Sequence, residues 1–201
     1  MIKFVHTADL HLDSPFAMEN SQKAAKRRAE LRDTFARLID EAKKFGANFV
    51  FIAGDLFDRR NVTKNTLDLA VSLFASYPEC NFIITPGNHD FYSPDSVWEK
   101  TDFPSNVHIF RGTAIEKITF ENVGEDKETV NVFGYAFNSQ SFEYSPLSYG
   151  AKYCEDGINI LCAHADIYSK TSANCPITVS QIGESGFDYV ALGHVHNGGE
   201  V

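Results

Sequence analysis

Short apolar runs recur along this chain, and each ends at a glycine, a proline or a cluster of polar residues. The first run alternates apolar and polar positions, whereas the later ones are continuously apolar, as expected of strands buried on both faces of a parallel sheet. The pattern predicts one alternating strand and four buried ones, in this order: Lys3–Thr7, Asn48–Ala53, Asn81–Thr85, Ile158–Ala163 and Tyr189–Leu192.

Amphipathic stretches lie between these runs and predict helices. Apolar residues recur near a period of 3.6 from Ser21 to Phe45, and Gly46 is a typical stop for such a helix. A second helix is predicted over Asn65–Tyr77, followed by Pro78. Thr178-x-x-Gln181 has the spacing of a capping box and predicts the start of a short third helix.

The segment between Val107 and Phe137 has a different pattern, with short alternating strands and a polar hairpin at Asn122–Glu128. The element order is therefore βαβαβ, then a β meander, then βαβ. With no repeat, low-complexity segment or linker, this order predicts one α/β domain.

Composition narrows the class of protein. Of the 201 residues 43% are apolar, enough for a sizeable core, yet no stretch approaches the roughly 20 apolar residues that span a bilayer. The first residues lack the pattern of a signal peptide, and the four cysteines show no CxxC spacing. We therefore expect a cytoplasmic domain with reduced thiols and no membrane partner.

Charge is unevenly distributed along the chain. The net charge is −9, but residues 1–60 hold 11 Lys and Arg against 9 Asp and Glu, whereas the remainder holds 7 against 18. This distribution excludes a uniformly basic nucleic-acid binder. It leaves two possibilities: a local basic patch near the N-terminus, or bound cations that reverse the sign of an acidic site.

Metal-ligand residue types follow each predicted buried strand. In α/β sheets ligands bind at the carboxyl ends of the strands, so we expect these loops to converge on one crevice. Five of the seven histidines lie in them. The clusters are Asp9-Leu-His11, Gly54-Asp55-Leu-Phe-Asp58, Gly87-Asn88-His89-Asp90, His164, and Gly193-His194-Val-His196.

Each cluster alone has an ordinary structural explanation. A D-x-H sequence is often a solvated loop, G-D-x-x-D is often a turn followed by a helix cap, and a single histidine such as His164 is more often a packed core residue than a ligand. Five clusters in this order, each after a strand, favour a shared metal site instead.

The five clusters resemble those of the calcineurin-like metallophosphoesterases, in the order D-x-H, G-D-x-x-D, G-N-H-D, H, G-H-x-H. The stretches His6–Phe16 and Gly54–Arg59 are most similar to the SbcD/YhaO-type DNA repair exonucleases, related to the nuclease subunit of the double-strand-break repair complex. The resemblance implies a four-layer αββα sandwich of mixed sheets. It also implies that residues 1–201 are one phosphoesterase domain lacking the final strands and the C-terminal capping domain.

The resemblance further implies a site for two divalent ions bridged by Asp55. One ion would be held by Asp9, His11, Asp55 and His196, and the other by Asp55, Asn88, His164 and His194. His89 would approach the scissile phosphate without binding metal, either as a general acid for the leaving oxygen or as a stabiliser of charge on the phosphoryl oxygens. Asp90 would orient it, with Asp58 as a supporting residue. Ligands of this type without thiolate favour Mn²⁺, with Fe or Zn as alternatives.

Basic residues near the site are candidates for substrate contact. Arg59 and Arg60 directly follow G-D-L-F-D, and Arg59 is the stronger candidate. The first helix also carries basic residues, for which a solvated face and a phosphate-binding face both stay open. His6 has two interpretations, as a support for the site or as a packed strand residue. The basic residues of the helix are Lys23, Lys26, Arg27, Arg28 and Arg32.

Three function classes remain open at this point. The leading one is a manganese-dependent nuclease acting on DNA ends. The alternatives are a phosphomonoesterase, and a non-catalytic subunit that binds metal and a partner. For partners, the resemblance implies DNA, an SMC-like ABC ATPase and possible homodimerisation.

Overall fold

Two four-stranded sheets form the centre of the protein, in a computed structural model that describes residues 1–16, 20–58, 62–147 and 150–196. The first sheet is wholly parallel and its strands lie in chain order: β1 (Phe4–Thr7), β2 (Phe49–Ala53), β3 (Asn81–Thr85) and β4 (Val107–Ile109). The second sheet is mixed, because only its first pair is antiparallel: β5 (Glu116–Val123), β6 (Glu128–Gly134), β7 (Ile158–His164) and β8 (Tyr189–Gly193).

Three of the helices lie where the sequence predicts them, whereas the short helix at Val97–Lys100 was not predicted. The helices are α1 (Ser21–Phe45), α2 (Lys64–Ala75), α3 (Val97–Lys100) and α4 (Val179–Ser185). Asn20 caps α1 by accepting from two backbone amides of its first turn, and Gly46 ends it in the left-handed conformation. The capping box of Thr178 and Gln181 is present at α4. Both ends of α1 and the start of α4 are thus confirmed.

The two sheets face each other across a shared core, with helices on the outside. Phe51 and Ile83 of the first sheet lie in one apolar cluster with Val132 and Ile160 of the second. A separate cluster joins the other face of the first sheet to α1 and α2, and a third covers the outer face of the second sheet beside α4. This arrangement confirms the αββα sandwich. It also explains the continuous apolar run of β2, whose residues are all buried.

The predicted meander is wrong in one respect. β4 does not pair with β5 but joins the first sheet in parallel, with Val107 opposite Phe82. Only β5 and β6 form the hairpin, with its turn inside the predicted polar segment. An alternating pattern indicates that a strand has one covered face, but it does not identify the neighbouring strand. The four residues of α3 are too few to show a helical period.

Two sequence expectations concern cysteines and membranes. All four cysteines are free thiols, and Cys154 alone among them is exposed. Within the described ranges, no helix combines the length and the apolar character that a bilayer crossing requires.

A buried carboxylate, that of Asp13, connects the loop after β1 to helices α1 and α2. Asp13 accepts hydrogen bonds from the backbone amide and hydroxyl of Thr63, at 2.8 and 2.7 Å, and from the hydroxyl of Thr66 at 2.8 Å. Arg32 of α1 adds a contact at 3.4 Å. Asp13 itself has a left-handed backbone, with φ at 67°. These contacts hold the loop in a conformation that a non-glycine residue rarely adopts.

We expect Asp13→Ala to lower the free energy of unfolding by about 3 kcal/mol, because it leaves buried donors without their charged acceptor. Urea unfolding measures this. Asp33→Ala removes an exposed carboxylate from α1 and should change the free energy by less than about 0.5 kcal/mol. Equal effects of the two substitutions would show that the Asp13 contacts do not stabilise the loop.

Candidate metal centre

One cleft collects the loops that follow the strands. β1, β2 and β3 of the first sheet and β7 and β8 of the second all end at this edge, and His164 is fully buried beneath it. The predicted residues at the cleft surface are Asp9, His11, Asp55, Asp58, Asn88, His89, His194 and His196. The structure therefore brings the five clusters together from two different sheets.

The loops hold strained backbones at the predicted ligands. Asp9, His11, Asp55 and His194 have positive φ values of 53°, 46°, 51° and 93°. Such conformations are costly for residues with side chains, and they persist where neighbours over-determine them. Here the loops bond to each other: the His11 amide donates to the Asp55 carbonyl at 2.9 Å, and the His194 amide donates to the Asp9 carboxylate at 3.0 Å.

A first group of ligand atoms comes from Asp9, His11 and His196. Their ligand atoms lie within 4.8 Å of one another. Oδ1 of Asp9 is 3.9 Å from Nε2 of His11 and 3.7 Å from Nε2 of His196. These three residues form one side of the cleft and belong to the set predicted for a single ion.

A second group is centred on His164. Its Nδ1 donates to the carbonyl of Ala53 at 3.0 Å, which fixes the ring and leaves Nε2 facing the site. Nε2 is 3.0 Å from Oδ1 of Asn88 and 3.4 Å from Oδ2 of Asp55. The His194 ring lies next to it, with ring centres 5.0 Å apart. The second predicted ligand set is thus also assembled.

Asp55 lies between the two groups. The same oxygen that faces His164 is 3.9 Å from Nε2 of His11, and the other accepts from the His89 amide at 2.9 Å. The side chain of Asp55 is only 2% exposed. A buried carboxylate facing histidines of both groups is placed to bridge two cations.

Unpartnered buried atoms test whether the residues fit metal ions. Oδ1 of Asp9 and Nε2 of His11 are buried, and neither has a hydrogen-bond partner among the described residues. Buried polar atoms are otherwise almost always satisfied, so these two point to a ligand. Imidazole, carboxylate and amide donors without thiolate suit Mn²⁺, Fe and Zn²⁺. The residues present therefore fit divalent cations.

Electrostatics favours the metal-binding forms of His11, His194 and Asp55, whereas His164 must lose a proton before it can bind a cation. Burial lowers the pKa of His11 and of His194, against the pull of nearby carboxylates, so both imidazoles are neutral at neutral pH. Burial acts against charge on Asp55 and His164 as well. Their mutual attraction outweighs it, lowering the pKa of Asp55 and raising that of His164.

Asp58, rather than Asp90, contacts the His89 ring. Oδ1 of Asp58 is 3.1 Å from Nδ1 of His89 and 3.2 Å from Nδ1 of His11. The His89 side chain is 44% exposed, so the rest of its ring faces the cleft. Asp58 thus takes the orienting position that the sequence analysis assigned to Asp90.

Asp90 is instead buried and bonds to the backbones of two loops. Its two carboxyl oxygens accept from the backbone amides of Gly87, at 2.8 Å, and Phe57, at 3.1 Å. Burial, with a further contribution from the charge of Asp55, raises the pKa of Asp90 to about 7. Through these two hydrogen bonds, the Asp90 carboxyl joins the loop after β3 to the loop after β2.

The remaining candidates are placed as follows. His6 packs within the fold, with Nε2 3.0 Å from the Leu192 carbonyl and Nδ1 3.1 Å from the Tyr189 hydroxyl. Arg59 and Arg60 lie outside the described residues.

The basic residues of α1 make two kinds of contact. Lys26 and Arg27 pair with Glu30 of the same helix, at 3.9 and 2.7 Å. Arg28 instead reaches the loop after β1, where it donates to the Pro15 carbonyl at 3.3 Å. Part of this basic face of α1 is therefore solvated and locally paired, and part supports the rim of the cleft.

A calcineurin-like phosphoesterase family model matches residues 2–198. The chain belongs to this family. As a metallophosphoesterase it is a hydrolase, and divalent metal ions are the family's cofactors. The two ligand groups described above are the site at which this chain would hold them.

Two curated proteins are similar in sequence to this chain. The chain is 29% identical over 203 residues to the uncharacterized metallophosphoesterase YhaO of Bacillus subtilis, covering 97% of this chain and 48% of the relative. It is 27% identical over 213 residues to the DNA double-strand break repair protein Mre11 of Methanopyrus kandleri, covering 97% of this chain and 44% of the relative. The chain thus spans about half the length of these relatives.

A glycine in this metallophosphoesterase site provides a test of its packing. A Cβ added at Gly87 would overlap Oδ1 of Asp55 and lie 2.8 Å from the Asp55 nitrogen. We expect Gly87→Ala to lower the free energy of unfolding by about 1–3 kcal/mol and to weaken metal binding, because Asp55 must move. Thermal unfolding with and without Mn²⁺ measures both effects.

The matched control is Gly183→Ala in α4, where an added Cβ meets nothing within 4 Å. It should stabilise the protein by about 0.5–1 kcal/mol through helix propensity and leave metal binding unchanged. A Gly87→Ala protein that bound Mn²⁺ as tightly as wild type would contradict the close packing against Asp55.

Proposed function

We propose that this domain is a DNA nuclease that hydrolyses phosphodiester bonds with two divalent ions, of which Mn²⁺ is the preferred one. The observation that carries the proposal is the position of Asp55 between two ligand groups, beside buried ligand atoms that have no hydrogen-bond partner in the described parts of the chain. The name of the Mre11 relative, a DNA double-strand break repair protein, supports DNA as the substrate.

The protein would hold the ions through the two ligand groups. Asp9, His11 and His196 would bind one, His164, Asn88 and His194 the other, and Asp55 both. When bound, two such ions polarise the phosphoryl oxygen, activate a water and clamp the attacking and leaving oxygens of an in-line displacement.

His89 supplies the proton that the leaving oxygen needs. Its Nδ1 faces the carboxylate of Asp58 at 3.1 Å and the carbonyl of the same residue at 3.4 Å, so Nδ1 carries a hydrogen. In the protonated ring, Nε2 then holds the transferable proton. A general acid at this position assists departure of an alkoxide, the poor leaving group of a DNA strand.

The test is degradation of end-labelled single- and double-stranded DNA in Mn²⁺. We expect shortened products from the wild-type protein and none after chelation with EDTA. Bis-p-nitrophenyl phosphate and p-nitrophenyl phosphate, assayed in parallel, separate diesterase from monoesterase activity. Hydrolysis of the monoester alone, with DNA intact, would overturn the proposal in favour of a phosphomonoesterase. Two bound ions without hydrolysis of any substrate would favour a non-catalytic subunit.

We also propose the assemblies implied by the sequence resemblance, an SMC-like ABC ATPase partner and a homodimer. Multi-angle light scattering measures the oligomeric state directly. Co-purification with a tagged SMC-like ABC ATPase from the same organism tests the partner.

A further inference from the structure

The cleft at the metal centre has an apolar wall as well as polar ligands. Leu10, Phe16 and Leu31 line it together with the predicted metal ligands. Leu10 and Leu31 are backed by the core that joins the first sheet to its helices. Phe16 is half-buried and is one of the residues that line the cleft. A molecule bound here would meet cation-binding groups and an aromatic surface at once.

The backbone of Phe16 is unusual for a bulky residue. Its φ is 44°, in the left-handed region that side chains disfavour. Strain of this kind persists at functional sites, where surrounding contacts maintain it. An aromatic residue is thus held at the cleft in a backbone conformation that has an energetic cost.

Contacts on the preceding residues hold Phe16 in place. Arg28 of α1 donates to the Pro15 carbonyl, and the Ser14 amide donates to the His11 carbonyl at 3.0 Å. Asp13, with its bonds to Thr63 and Thr66, fixes the middle of the same loop. The loop that provides Asp9 and His11 to the metal centre therefore also sets the position of Phe16.

We propose that Phe16 is the base-stacking residue of this cleft, and that its ring receives the nucleobase of the nucleotide whose phosphate lies at the ligand groups. The inference rests on the proposed function. A phosphate suits the cationic centre, and a nucleobase is the flat, largely apolar group attached to it in DNA. Stacking on an aromatic ring tolerates any base, because every base has a π-face. The cleft would then select nucleotides over other phosphate esters without reading sequence.

Calorimetric titration of the Mn²⁺-loaded protein tests the proposal without turnover. The ligands are thymidine 5′-monophosphate, thymidine 3′-monophosphate and deoxyribose 5-phosphate, which has no base. We expect at least one thymidine monophosphate to bind about 5- to 100-fold more tightly than deoxyribose 5-phosphate. In Phe16→Ala and Phe16→Leu this preference should disappear, whereas the affinity for deoxyribose 5-phosphate stays at the wild-type value. Phe16→Trp should keep the preference.

Phe45→Ala is the matched control. Phe45 is a 53% exposed aromatic residue at the end of α1, near Lys3 at the start of β1, and so at the edge opposite the cleft. Its removal should leave the preference intact. Equal binding of nucleotide and sugar phosphate by wild type, or a preference that survives in Phe16→Ala and Phe16→Leu, would overturn the proposal.

The outcomes also separate this inference from the proposed function. A base preference that depends on Phe16, in a protein that leaves DNA intact, would support stacking and overturn the nuclease. DNA degradation without any base preference would support the nuclease and overturn stacking on Phe16. Failure to bind any of the three phosphates in the presence of Mn²⁺ would overturn both.

Discussion

Replacing Asp55 with asparagine is expected to remove both metal ions and to reduce DNA hydrolysis by at least about 10³-fold. The carboxylate is the group placed between the two ligand sets, with one oxygen facing both His11 and His164. An amide loses the negative charge that two cations share. Because its oxygen can still accept from the His89 amide, the loop after β3 keeps its hydrogen bond.

Inductively coupled plasma mass spectrometry of protein dialysed against Mn²⁺ measures the ion content directly. Asp68→Asn provides the control, since that carboxylate is 60% exposed on α2 and pairs with Lys64 at 2.6 Å. It should keep both ions and full activity. Two fully occupied ions in the Asp55→Asn protein would refute the bridging role.

Replacing His89 with alanine or asparagine is expected to slow DNA cleavage by about 10²- to 10⁴-fold while both ions stay bound. The ligand atoms of His89 group with those of His11 and Asp58, rather than with those of Asp55 or His196, and its Nδ1 faces Asp58 at 3.1 Å. The loss should therefore fall on proton transfer to the leaving oxygen.

Substrates with different leaving groups distinguish a general-acid role of His89 from a general loss of structure. Thymidine 5′-monophosphate p-nitrophenyl ester releases p-nitrophenolate, which departs without a proton, so the variants should lose much less activity on it than on DNA. His108→Gln, which alters a histidine bonded to Asn81 in the first sheet, serves as control. An equal loss on both substrates, or loss of either ion, would argue against a general acid.

Strand and helix positions could be predicted closely because periodicity reports burial. Asn81–Thr85 and Ser21–Phe45 are present with the predicted bounds. The convergence of the five polar clusters followed from the rule that parallel strands end at one edge of a sheet. The pairing of β4 could not be predicted, since three alternating residues fit the edge of either sheet.

Roles within the loops were harder to predict than their convergence. Asp58 and Asp90 both lie in clusters after buried strands, and proximity in sequence favoured Asp90 as the partner of His89. The structure turns Asp90 inward, where backbone amides of Gly87 and Phe57 satisfy it, and places Asp58 between two histidine rings. Which carboxyl turns inward depends on backbone donors provided by another loop, and a one-dimensional pattern does not contain that information.

The hydrogen bond between Asp9 and the His194 amide joins positions 185 residues apart. Ligands from the first loop and from the last strand must meet before the ions can be coordinated. During translation, the N-terminal sheet emerges from the ribosome long before β8 does. A nascent chain therefore lacks a complete site until β8 and the residues that follow it have been synthesised. Any hydrolytic activity would begin only after β8 has been added, when both sheets are in place.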